Sequence, residues 1–99
     1  MPPVFLDVDP HELRVPSSRS GGADPFKLHR QIARYGTSAS GMPPIWVYQG
    51  ADGLLIIANG VTRATRIAKL APGTLVRVEV VGPTKRAGAS LPRIGDLLP

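Results

Sequence analysis

Ninety-nine residues, 42% of them hydrophobic, are enough for one domain with a modest core and too few for two. Lysine and arginine outnumber aspartate and glutamate by 12 to 7, a formal net charge of +5 that favours an anionic partner: nucleic acid, a nucleotide or an acidic protein surface. Cysteine is absent, which excludes disulfide scaffolds, thiol catalysis and cysteine-ligated zinc, and no apolar run approaches the roughly 20 residues needed to cross a bilayer.

The first ten residues, MPPVFLDVDP, lack a basic region followed by a long apolar run, so a chain without export signal or membrane contact is expected. Val4 to Val8 alternates apolar and acidic residues and reads as a short strand. Asp9-Pro10 then supplies a cap and a first-turn proline for one helical turn through Leu13. The Pro-, Ser- and Gly-rich stretch Arg14 to Asp24 reads as a loop, long for so small a domain. Arg19, Ser20 and Gly21 within it suit a lid over a ligand; a plain linker has the same composition. Asp24 caps and Pro25 opens a helix with an apolar face of Phe26, Leu28, Ile32 and Ala33, which Gly36 ends. His29 falls on that apolar arc, as a half-buried helix histidine or as a catalytic group, and Lys27, Arg30 and Arg34 face away.

After a second small-residue loop, Thr37 to Pro44, a β-hairpin is expected: Ile45 to Tyr48, a turn on Gly50, Asp52 and Gly53, then the almost wholly apolar Leu54 to Ala58. Trp46 and Tyr48 share the side of the hairpin opposite Val47 and suit core or partner packing better than base stacking. Asn59-Gly60 leads into a helix with Val61, Ala64, Ile67, Ala68 and Ala71 on one face, Thr62, Thr65, Arg66 and Lys69 on the other, and Arg63 at the border. Leu75 to Val81 alternates as a last strand. Residues 1–82 make the expected domain; 83–99 form a basic tail, docked in part through Ile94, Leu97 and Leu98. The order predicts an α+β fold, a small mixed sheet with helices packed on it.

A leading strand, a helix ending in glycine, PPIWV opening a hairpin with DG in its turn, and an apolar strand entering NGVTRATRIAKL before VRVEVV together resemble the ParB and sulfiredoxin superfamily over roughly Val4 to Val81. The resemblance implies a nucleotide phosphate contact at the glycine turn, with CTP in ParB proteins and ATP in sulfiredoxins, and places Gly60 and Arg63 at the glycine and arginine positions. Val61 and Thr62 stand where sulfiredoxins carry cysteine and histidine, which argues against sulfinic-acid reduction, and they also replace the Glu-Arg of the ParB box. The helix-turn-helix domain that follows in ParB proteins has no counterpart here. Relatives of this stand-alone kind are described as nucleases or as toxin tips of larger secreted proteins, so a cytoplasmic protein and such an effector tip are both expectations.

The chemistry read from the residues is a phosphate cradle. A helix N-terminus offers free amides and partial positive charge, Gly60 allows close approach, and Asn59, Thr62, Arg63 and Arg66 supply polar and cationic side chains. A plain strand-to-helix turn with a solvated basic face accounts for the same residues. No paired-carboxylate metal motif occurs; a nucleotide, ATP or CTP, and magnesium are the cofactors considered. For a metal-free phosphodiesterase or nuclease, His29 is the candidate base and Arg63 the charge stabiliser. The competing reading is a non-catalytic interaction module that keeps the fold.

Overall fold

A computed structural model describes residues 2–99. Four strands, β1 (Val4–Val8), β2 (Ile45–Gln49), β3 (Leu55–Asn59) and β4 (Val76–Pro83), form one sheet in the order β1-β4-β2-β3. The β1–β4 and β2–β3 pairs are antiparallel and β2–β4 is parallel, so the sheet is mixed. Two helices complete the α+β fold: α1 (Pro25–Tyr35) and α2 (Val61–Leu70). The parallel pair exists because α2 carries the chain from β3 back across the sheet to β4.

Alternation decides what is buried. Val76 and Val78 of β4, Ile45 and Val47 of β2, and Ile57 of β3 point to the helix side and meet Val61, Ala64, Ile67 and Ala68 of α2. The opposite side of the sheet carries Phe5, Trp46 and Tyr48, all exposed. Helix α1 packs on α2.

Helix starts follow local chemistry. Asp24 Oδ1 accepts from the amides of Phe26 and Lys27, Pro25 takes the first helical position, and Asp9 Oδ1 accepts from His11 N at the turn Pro10–Glu12. The apolar face expected of α1 shrinks to Leu28 and half-buried Ile32, and Phe26 is 81% exposed. Leu28, Gln31, Ile32 and Tyr35 share the stripe at i, i+3, i+4 and i+7, and Phe26 and Ala33 fall outside it. The two-sided reading of α2 is also corrected. Thr62, Thr65 and Arg66 are buried with the apolar residues, because α1 and the turns Pro10–Glu12 and Ile94–Leu97 pack around the helix. Buried Thr65 answers its hydroxyl internally, donating 2.7 Å to Val61 O one turn back.

The segments expected to be loop and tail supply core and cover the β3 edge. Leu13, Val15, Leu91 and Ile94 are buried. Arg14 N donates to Leu55 O and Ile57 N to Arg14 O, both at 2.9 Å, and the tail pairs onto the same segment through Val15 N to Pro92 O and Ile94 N to Leu13 O. Asp52, in the hairpin turn, fixes the tail. Its Oδ1 accepts from Gly88 N and its Oδ2 from Ala89 N, each at 2.9 Å. These amides hold its carboxyl below the ordinary aspartate range, so the docking they represent is present at neutral pH and is lost as pH falls through that lowered value. Asp52→Asn is expected to speed hydrogen exchange at Gly88 and Ala89 at neutral pH, with β2 and β4 amides unchanged; unchanged exchange at both would refute the anchor.

Candidate anion-binding cleft

The cleft lies where the N-terminus of α2 meets α1. Gly60 caps α2 at φ 118°, ψ 22°, and Ala64 N is the amide that donates back to Gly60 O, which leaves the Val61, Thr62 and Arg63 amides as the unpaired first-turn donors of the helix. No side chain caps them. A Cβ at position 60 would stand 2.9 Å from Arg63 Nη2 and 3.1 and 3.2 Å from two carbons of Ile45. Glycine is therefore required both by the positive φ and by the arginine folded back over the turn.

Arg63 reaches from the first turn to donate from Nη2 to Pro44 O at a long 3.3 Å, with its Nε buried and unpartnered. Burial lowers its pKa, and arginine remains a cation regardless. Arg66, one turn on, is 1% exposed. Its Nη1 donates to Gly36 O and Ser38 O, both at 2.8 Å, its Nη2 faces Met42 Sδ at 3.6 Å, and its guanidinium carbon lies 5.3 Å from the centroid of the Tyr35 ring. The expectation that Arg66 lies on a polar outer face of the helix is thus corrected: it is a buried staple holding the loop after α1, although its Nε is unpartnered.

Two adjoining hollows make the cleft and share Gln31 and Tyr35. The deeper one, about 210 Å³, is walled by Ser38, Ser40, Gly41, Met42, Pro43, Arg63 and Arg66. The shallower, about 340 Å³, is walled by Thr62 and the α1 cations Lys27, Arg30 and Arg34. Gln31 Oε1 is also buried without a partner. Neither a carboxylate nor a histidine lines either hollow, so the charge there is wholly positive.

The structure brings Thr62, Arg63 and Arg66 to the cleft, sets Gly60 beneath the Arg63 side chain, and leaves other expected site residues elsewhere. Asn59 ends β3 exposed, paired in register with Trp46. His29 is exposed rather than half-buried, and lines a separate hollow with Leu28, Ile32, Lys69 and Leu97. Gly21 borders that same hollow; Ser17–Arg19 forms a tight turn closed by Arg19 N to Pro16 O at 2.9 Å, and Gly22 N to Arg19 O at 2.7 Å closes the next one. The segment expected as a lid does not border the cleft. Among the described residues no group of three histidines or carboxylates is placed to hold a metal ion. Lys27, Arg30 and Arg34 are exposed, as the sequence places them, and together they line the shallower hollow, which the sequence alone does not connect to the start of α2. Their spacing, i, i+3 and i+7, is the signal of one continuous stripe. No family model, curated protein or solved structure matches the chain.

Proposed function

We propose that the α1–α2 cleft binds a phosphate-bearing ligand, nucleic acid or a nucleotide. One observation carries this reading: of the four buried side-chain polar atoms without a protein partner among the described residues, three, Gln31 Oε1, Arg63 Nε and Arg66 Nε, belong to residues that line one hollow beside the first turns of α2, and only Arg14 Nε lies elsewhere. Unsatisfied buried groups are costly and rare, and their concentration at one place is what a polar ligand would repay. The guanidinium donors and helix amides suit phosphate oxygens, and the Gln31 acceptor suits a hydroxyl or base amino group. Lys27, Arg30 and Arg34 extend the positive surface along α1, which favours a ligand with several phosphates. With no histidine or carboxylate in the walls, binding rather than hydrolysis is the activity proposed.

Fluorescence anisotropy with labelled single-stranded DNA and RNA, and competition by ATP and CTP with and without magnesium, test the reading. Affinity is expected to fall steeply with salt, and Arg63→Ala to weaken binding by about tenfold or more, since a charge-assisted hydrogen bond is lost. The paired tail variant Lys85→Ala, Arg86→Ala is expected to have a smaller effect. Absence of binding by every ligand, or equal loss in both variants, contradicts the proposal.

A second reading, a protein-interaction module, is favoured by exposed Phe5, Trp46 and Tyr48, which lie on the sheet face opposite the helices and away from the cleft.

A further inference from the structure

The two edges of the sheet are treated differently. The β3 edge is covered by Arg14, and Arg14 in turn by Arg93 of the tail. The β1 edge has no neighbour among the described residues, and apolar side chains stand exposed on both of its faces: Val4 at 52% and Leu6 at 43% on the helix side, Phe5 at 44% on the other. Native proteins ordinarily blunt such an edge with lysine or a bulge, since its free N–H and C=O groups template another strand. Val4–Val8 has neither: its one charge is Asp7, and prolines stand only beyond its ends, at Pro3 and Pro10.

We infer that β1 pairs antiparallel with β1 of a second copy of this chain, about a two-fold axis through Leu6, to make one continuous eight-stranded sheet. Parity and charge select this register. Directly opposed residues share a face, so registers that set even against odd positions would turn the second helix layer to the wrong side. Of the rest, pairing about Asp7 sets two carboxylates against each other, and pairing about Phe5 runs Asp7 into Pro3. Pairing about Leu6 sets Leu6 against Leu6 and Val4 against Val8 on the helix side. On the other face it sets Asp7 of one copy against Phe5 of its mate.

Phe5 gives Asp7 no partner of its own; the charge that Asp7 meets is that of Arg77. Arg77 already spans both positions on its own sheet, with its guanidinium carbon 5.9 Å from the Phe5 ring and its Nε 3.5 Å from Asp7 Oδ1, and its side chain is 63% exposed. Asp7 of the second copy therefore arrives beside Arg77, twice by symmetry, which sets the two guanidinium groups against the two Asp7 carboxylates, diagonal neighbours in this register, with Glu79 on the far side of Phe5. Pro3 and Pro10 flank the strand in the same sequence and end the ladder on both sides. The contact is isologous and closes at two copies.

Because the chain has no cysteine, a single introduced one reports the register. Opposed residues of an antiparallel pair have Cα atoms about 4.5–5.5 Å apart, within disulfide reach. Light scattering across a concentration series is expected to show wild-type dimer. Leu6→Cys is expected to form a covalent dimer under mild oxidation much faster than Ala51→Cys in the exposed hairpin turn. Leu6→Lys is expected to weaken self-association by about tenfold or more, as two like charges replace an apolar pair. A wild-type chain that remains monomeric at every concentration, or equal cross-linking at positions 6 and 51, overturns the inference; the cysteine comparison decides should Leu6→Lys fail to fold.

Discussion

Replacing Arg66 by methionine is expected to lower stability by about 3 kcal/mol, the order set by losing two charge-assisted hydrogen bonds to carbonyls that have no other protein partner. Methionine fills much of the same volume, so the loss reads the polar staple rather than a cavity. For a domain of this size, that corresponds to a drop in Tm of about 15 °C, measurable by circular dichroism or calorimetry. Arg66→Lys keeps a charge, but a single ammonium cannot both donate to Gly36 O and Ser38 O, as Nη1 does, and lay a planar guanidinium beside the Tyr35 ring, so it is expected to recover only part of the difference. A methionine variant as stable as wild type would show that the loop after α1 is held by other contacts.

Gly60→Ala is expected to cost about 3 kcal/mol, combining a positive φ unsuited to an L side chain with overpacking. The clash has two parts of different kinds. Arg63 Nη2, 2.9 Å from the added carbon, is the end of a flexible chain and can move. Ile45, at 3.1 and 3.2 Å, is fully buried and cannot. Arg63 would be displaced from the mouth of the cleft, so the variant is expected to lose anion affinity as well as stability. Arg63→Ala separates the two effects, because the single long bond to Pro44 O gives that side chain little structural weight. Unchanged Tm and affinity in Gly60→Ala would remove the reason offered for glycine at this position.

Local chemistry carried much of the fold into the sequence. Strand alternation in Val4–Val8 and Val76–Val80, the Asp24-Pro25 helix start, and the Asp52-Gly53 turn each rest on contacts within a few residues, and each stands where the pattern put it. What failed was long-range. Thr62, Thr65 and Arg66 look like a solvated stripe until α1 is known to cover them, and no local signal says that it does. Val15 sits in a Pro- and Ser-rich stretch that reads as loop, and only the pairing of that stretch with β3 and the tail makes it core.

The candidate site divides the same way. Gly60, Thr62 and Arg63 were legible because a strand, a glycine and a helix start are consecutive in the chain. Gln31, Tyr35 and the α1 cations were not, since their part depends on how two helices meet. His29 was misplaced by a helical wheel whose apolar arc was centred on the wrong residues: with Phe26 exposed, the buried stripe runs through Leu28 and leaves His29 beside it, in solvent.

The most direct test of the central claim is where an anion perturbs the backbone. In a ¹⁵N–¹H NMR titration with inorganic phosphate and then with a short single-stranded oligonucleotide, the Val61, Thr62 and Arg63 amides are expected to shift first, followed for the oligonucleotide by Lys27 to Arg34. Shifts confined to the tail around Lys85, Arg86 and Arg93, with the start of α2 unmoved, would contradict the phosphate cradle and leave Asn59-Gly60 as a strand-to-helix turn.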